Sequence, residues 1–253
     1  MEDESGYQPG SHEPVREREP RIHVTFFFSA HDTAEDFAKL DPLIKAADVY
    51  IPEASGWNQA DLEETQKISQ GEITPKALSK PISERTASDV EIILLYNSKK
   101  EIAFIDIPED HRLNDGDVPI RDNIDRATTS IEAGLGYDIA IFEFGEAIKK
   151  YAAWMKEKDA YLSSRLQELL QQIPEKFPAL RTKDDIQVVV QLGVCHTPVR
   201  HMLSEVDNVK MKTNEKVQIL TVKDEITRRI NQGMECSREL IEQGIAENLL
   251  INM

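Results

Sequence analysis

Two cysteines in 253 residues, Cys195 and Cys236, are too few for a disulfide framework. Their positions, a strand end and a predicted helix, point to free thiols in a reducing compartment, with the cytoplasm as the expected location. Basic charge is also scarce: 30 Lys and Arg against 46 Asp and Glu leave a formal charge of −16. That charge repels phosphate backbones, and no Lys/Arg cluster offsets it, so nucleic acid is not expected as a partner. No apolar run approaches the roughly 18–20 residues that span a bilayer. The opening "MEDESGYQPGSHEPVREREPR" has neither the basic start nor the apolar stretch of a signal peptide, so membrane insertion is not expected. Both common nucleotide signatures, G-x-G-x-x-G and G-x-x-x-x-G-K-[ST], are missing. "NDGD" (114–117) lacks the spacing and terminal Glu of a calcium loop and reads as an acidic turn.

What is present is a chain of globular composition, 40% hydrophobic and 30% charged, long enough for one substantial core. Residues 1–21 are polar and aperiodic, a flexible acidic tail, and 22–253 form a single domain. "IHVTFFFS" (22–29) reads as a strand, followed by a helix spaced through Phe37, Leu40, Ile44 and Ala47 that Pro42 should kink. "ADVYIP" (47–52) is a second strand, and 58–69 a polar helix. "EIILLY" suits a helix or a strand, and the run after it reads as a strand ending near Asp106. Residues 107–126 look loop-rich. A long periodic helix spans about 137–173, interrupted in its apolar stripe by Lys158 and Asp159. "IQVVVQLGV" (186–194) is a strand leading to a short helix from Thr197; "VQILTV" (217–222) is a possible strand, and 224–243 a C-terminal helix. This alternation predicts an α/β fold, a largely parallel sheet covered by helices on both faces, with a long helical insertion before the last core strands.

In such a sheet, ligands bind beyond the carboxyl ends of the strands. His31, Glu53, Asp106 and His196 each follow a strand, so the fold can bring them together at one edge. That set is a vocabulary for a divalent metal or for acid–base work. Two histidines at helix starts suit an anion at least as well. Cys195 beside His196 invites a thiol-nucleophile reading, but alternation along a strand would point the two to opposite faces.

Taken in order, these segments resemble the superfamily of TraB/PrgY proteins, Tiki metalloproteases, ChaN-like haem-binding proteins and erythromycin-esterase-like enzymes. "GVCH" (193–196) matches the second G-x-x-H motif of the TraB and Tiki branches, and "FSAH" (28–31) takes the place of the first, with Phe28 where the family has Gly. "ADVYIPEASG" is similar to the strand that carries the acid, here Glu53. "EIAFIDIPED" resembles the strand ending Asp-Arg, with Asp106 on the Asp and Ile107 on the Arg. "MKEKDAYLSSRLQELL" resembles the helical Glu-Arg-Asp segment, with Lys158 replacing the Arg.

The resemblance implies a metal-dependent hydrolase, peptidase- or esterase-like, acting on a small-molecule or peptide substrate. His31, Glu53 and His196 would hold Mn, Co or Zn; Glu53, Asp106 and Lys158 would serve catalysis. The alternative is a non-enzymatic protein binding haem or a small anion in the same cleft. The lost arginines, which Lys and Ile cannot replace as bidentate donors, favour that alternative.

Overall fold

The computed structural model describes residues 19–29, 34–134, 136–203, 209–213 and 221–251. Its elements follow the expected alternation: β1 (Arg21–Ser29), α1 (Ala34–Ala46), β2 (Val49–Ile51), α2 (Gln59–Ser69), α3 (Ala87–Leu95), β3 (Glu101–Ile102), α4 (Val118–Glu132), α5 (Tyr137–Lys176), β4 (Asp185–Gly193), α6 (Thr197–Met202), β5 (Val209–Thr213), α7 (Val222–Asn231) and α8 (Arg238–Ile251). The five strands lie in the order β3-β2-β4-β1-β5 and every pairing is parallel. Ser29 pairs with Gly193, and Ile51 with Val190, so the carboxyl ends of β1, β2 and β4 share one edge.

Local signals explain most elements. Asn58 with Asp61, and Thr86 with Asp89, form capping boxes that start α2 and α3. The Thr86 cap settles "EIILLY" as helix, and the Tyr50 hydroxyl bonds Glu91 of α3 at 2.8 Å. Helix α1 runs through Pro42 without a break.

Four expectations change. The third strand ends at Ile102, so Asp106 lies in the segment that follows it and not at the strand end. The second half of the loop-rich stretch is helical from Val118, because Pro119 is accepted in the first turn, where its missing N–H costs no bond. The C-terminal helix is two helices parted at Gly233, whose φ of 71° no helix interior adopts. The edge strand β5 occupies Val209–Thr213, while residues 217–220 of "VQILTV" lie outside the described residues; Thr221 caps α7 and Val222 begins it.

Strand alternation builds two cores. Ile22, Val24 and Phe26 of β1, Val49 and Ile51 of β2, and Ile186, Val188, Val190 and Leu192 of β4 pack against Leu162, Leu166, Leu170 and Ile173 of α5 and Val199 of α6. The opposite face, Phe27, Tyr50 and Val189, packs against Leu40 and Ile44 of α1 and Leu95 of α3. Helix α5 has 40 residues, about 60 Å of length at 1.5 Å per residue, and outruns the sheet. Its first half, with Ile141, Phe144 and Ile148, joins α4, α7 and α8 in a third, purely helical cluster. Among the described residues no helix is long and apolar enough to cross a membrane.

The sheet-facing half of α5 should dominate stability. Leu162→Ala, at a fully buried position, is expected to cost about 2–5 kcal/mol of unfolding free energy, read as a lower urea midpoint at unchanged slope.

Candidate functional site

Lys158 and Asp159 lie where α5 passes from the helical cluster onto the sheet, between Ile148 on one side and Leu162 on the other. Both are buried there, at 5% and 1% exposure, together with Asp106 at 0% and His196 at 2%. Charges this deep need partners. They find them in the segments that leave β2, β3 and β4.

The Lys158 ammonium donates to Ser55 Oγ at 2.8 Å and stands 3.4 Å from Asp106 Oδ2 and 3.6 Å from Glu53 Oε1. Ser55 in turn donates to Asp106 Oδ2 at 2.8 Å, and the backbone N–H of Ile107 donates to Asp106 Oδ1 at 2.7 Å. Trp57 Nε1 donates to the Asp106 carbonyl, at 2.7 Å, fixing the turn that presents both Glu53 and Ser55. Glu53 is held from the other side: Oε2 accepts the Gly193 N–H at the end of β4, leaving Oε1 facing His196 Nε2 at 3.3 Å. His196 Nδ1 meets Asp159 Oδ1 at 2.5 Å. One continuous chain of contacts therefore runs Asp159–His196–Glu53–Lys158–Asp106, with Ser55 bracing its far end.

The electrostatics follow from that packing. Burial alone would push His196 down, but Cys195, Glu53 and Asp159 together hold its ring well above the ordinary histidine value. Burial likewise opposes charge on Lys158, and Asp106 and Glu53 outweigh it and raise its pKa. Asp159 is raised by burial, against the pull of His196 and Lys158.

Of the residues singled out from sequence, Glu53, Asp106, Lys158 and His196 come together; His31 lies outside the described residues. Asp159 and Ser55 were missed as site residues. Asp159 had a signal, since it breaks the apolar stripe with Lys158. Ser55 had none, because a serine in "ASGW" reads as turn chemistry. Glu157, aligned beside them, faces away and pairs with Arg112 at 2.9 Å. Phe28, at the place of the family glycine, is a partly buried residue of β1 that packs against the core, stacked 5.8 Å from Phe26, and Ile107, at the place of an arginine, is buried. The strand-alternation argument against Cys195 does not hold: β4 ends at Gly193 and residues 194–196 form a 3-10 turn, so Cys195 is not on the strand. Among the described residues, no group of three or more His, Cys, Asp or Glu side chains is arranged to hold a metal ion.

Two outcomes test the network. Lys158→Met strands Asp106 and Glu53 without their cation and is expected to destabilise by about 3–5 kcal/mol in urea unfolding. For His196, a folded pKa raised above the ordinary histidine value of 6.5 means that its charged form stabilises the fold fully below pH 6.5. That contribution is lost as pH rises through the folded pKa. The urea-midpoint gap between wild type and His196→Gln should therefore be widest near pH 6 and narrow on the alkaline side.

No family model matches this chain, and no curated protein or solved structure matches it either. Its function has to be argued from this geometry.

Proposed function

We propose that the carboxyl edge of the sheet is a metal-dependent hydrolytic site, peptidase- or esterase-like, of the kind the TraB/Tiki resemblance implies. One observation carries the reading: His196 Nε2 and Glu53 Oε1 face each other at 3.3 Å while His196 Nδ1 is held by Asp159. Ligand bonds of about 2.0–2.1 Å place neighbouring tetrahedral donors roughly 3.4 Å apart, so this pair has the spacing of a ligand edge. A carboxylate on the far nitrogen is the usual support of a metal-bound histidine, fixing its tautomer and ring orientation. The third donor implied by the resemblance is His31. A bound Mn, Co or Zn would supply an activated water at neutral pH.

The protein's own groups supply the rest. Glu53, anchored through Oε2 by the Gly193 N–H, presents Oε1 on the His196 side, where it would either hold the metal or take a proton from water. Lys158, kept charged by Asp106 and Glu53, is a fixed cation for the negative charge that develops on a cleaved ester or amide. Asp106 holds that lysine both directly and through Ser55. The haem alternative gains nothing from this arrangement: a 2% exposed imidazole with a carboxylate at each nitrogen suits an ion between side chains better than a porphyrin face. A cytoplasmic setting fits the two free thiols, Cys195 and Cys236.

Elemental analysis of protein purified without chelator or metal-affinity resin tests the reading, compared with His196→Ala. Near-stoichiometric metal in wild type, lost in the variant and accompanied by hydrolysis of 4-nitrophenyl acetate, is expected. Wild type that takes up none of Mn, Co or Zn when they are added sinks the idea.

A further inference from the structure

Among the described residues, Arg200 is the one arginine that is not exposed and yet makes no hydrogen bond or ion pair; its Nε is buried without a partner. In a chain with 16 excess negative charges this is conspicuous. Other half-buried arginines are engaged: Arg85 donates to the carbonyls of Lys80 and Leu78, and Arg228 and Arg229 clasp Glu225. A desolvated guanidinium N–H without an acceptor is costly, and the cost is removed when an oxyanion arrives.

The position of Arg200 shows where that oxyanion would sit. Along the turn and helix after β4, His196 and Val199 are buried, Thr197, Pro198, Arg200 and Leu203 are half-buried, and His201 and Met202 are exposed; the 3.6-residue period puts Arg200 on the side of His196. Val199 packs into the sheet core, Leu203 against its margin, and His196 into the site. Arg200 therefore lies one turn beyond His196 on the same inward face. Side chains on a helix lean toward its N-terminus and cover the preceding turn, which for Arg200 is the turn that carries His196. Nε–H with the neighbouring terminal N–H makes a side-on pair of donors matched to two oxygens of a carboxylate or phosphate.

We propose that Arg200 is the anion-recognition residue of the strand-end site, so that the bond cleaved there belongs to a substrate carrying a carboxylate or phosphate group. The substrate assignment rests on the hydrolase reading above; the anion subsite stands on the unpartnered Nε and the place of Arg200 one turn after His196. It accounts for a feature the hydrolase reading leaves unexplained, a buried guanidinium Nε with no hydrogen-bond partner among the described residues.

The test uses the full-length chain as wild type, Arg200→Gln and Arg200→Lys, each checked by urea unfolding. Succinate and inorganic phosphate are titrated calorimetrically into all three, and whichever binds more tightly names the oxyanion. Wild type is expected to bind one of them, Arg200→Gln to bind it about ten- to a hundredfold more weakly, as the loss of a charge-assisted hydrogen bond implies, and Arg200→Lys to recover part of the loss. A Gln variant that binds as wild type does, or a wild type that binds neither anion, overturns the proposal. So does a Gln variant whose weaker binding tracks a lowered urea midpoint and is not rescued by lysine, since that is a structural role. With metal added, kcat/KM is then compared for 4-nitrophenyl acetate and its anionic counterpart, mono-4-nitrophenyl succinate. The preference for the anionic ester should fall about ten- to a hundredfold in Arg200→Gln, through KM more than kcat. If neither ester is cleaved with any metal, the hydrolase reading fails, while the two anion titrations still decide the role of Arg200.

Discussion

Four buried ionisable side chains and the half-buried Glu53, gathered at one edge of a sheet, are the constraint on which the rest of this structure depends. Three carboxylates, Glu53, Asp106 and Asp159, face two cations, Lys158 and His196, and each charge has an oppositely charged neighbour within 3.6 Å. An isolated charge at that depth would cost far more than a domain of this size can spare; a closed set of alternating signs does not. The set is also directional. Gly193 fixes one oxygen of Glu53, Ile107 one oxygen of Asp106, and Ser55 ties Asp106 to Lys158, so little freedom is left to rotate.

This constraint gives α5 its unusual form. A helix serving only the sheet would end where the strands end, yet α5 continues into the cluster with α4, α7 and α8. Lys158 and Asp159 stand at the transition, and their backbone is clamped by apolar packing on both sides. Asp159 serves His196 while its neighbour Lys158 serves Glu53 and Asp106; consecutive helix residues project about 100° apart and so reach different strand ends. The helical cluster acts as the far wall that keeps this point of α5 rigid over the carboxyl edge. Trp154, one turn earlier, donates to the Leu113 carbonyl at 3.3 Å, and its ring lies 5.8 Å from the Lys158 ammonium, closing that side.

Charge bookkeeping inside the site also bears on its chemistry. A metal held there would displace the Nε2 proton of His196; with Lys158 protonated and His196 neutral the five groups sum to −2, which favours a further cation. The two donors facing each other, His196 Nε2 and Glu53 Oε1, are the pair between which it would be shared. Arg200, one turn on, adds a positive charge with no hydrogen bond or ion pair among the described residues. On the proposed reading the two kinds of group would serve a metal-assisted cleavage of an anionic substrate, with the reacting bond held between them.

The sequence by itself determined the class of fold and the residues that could meet. Continuous apolar strands alternating with amphipathic helices leave few arrangements other than a covered parallel sheet, and strand ends of a parallel sheet share an edge wherever the helices pack. Glu53, Asp106 and His196 were legible for that reason, and Lys158 because a charge in an apolar stripe needs an explanation. Tertiary structure alone decided the pairings. That Asp159 holds His196 depends on the rotation of α5 about its axis, which the spacing of its leucines leaves uncertain by a residue. That Ser55 braces Asp106, or that Cys195 stands off the strand, depends on turns whose geometry is set by contacts distant in sequence. Element ends gave way likewise: α4 begins inside a stretch of loop composition because Ile124 and Ala127 find Phe144 and Ile245 to pack on. Periodicity is local and is written in the chain; partnership across the edge is a property of the closed fold.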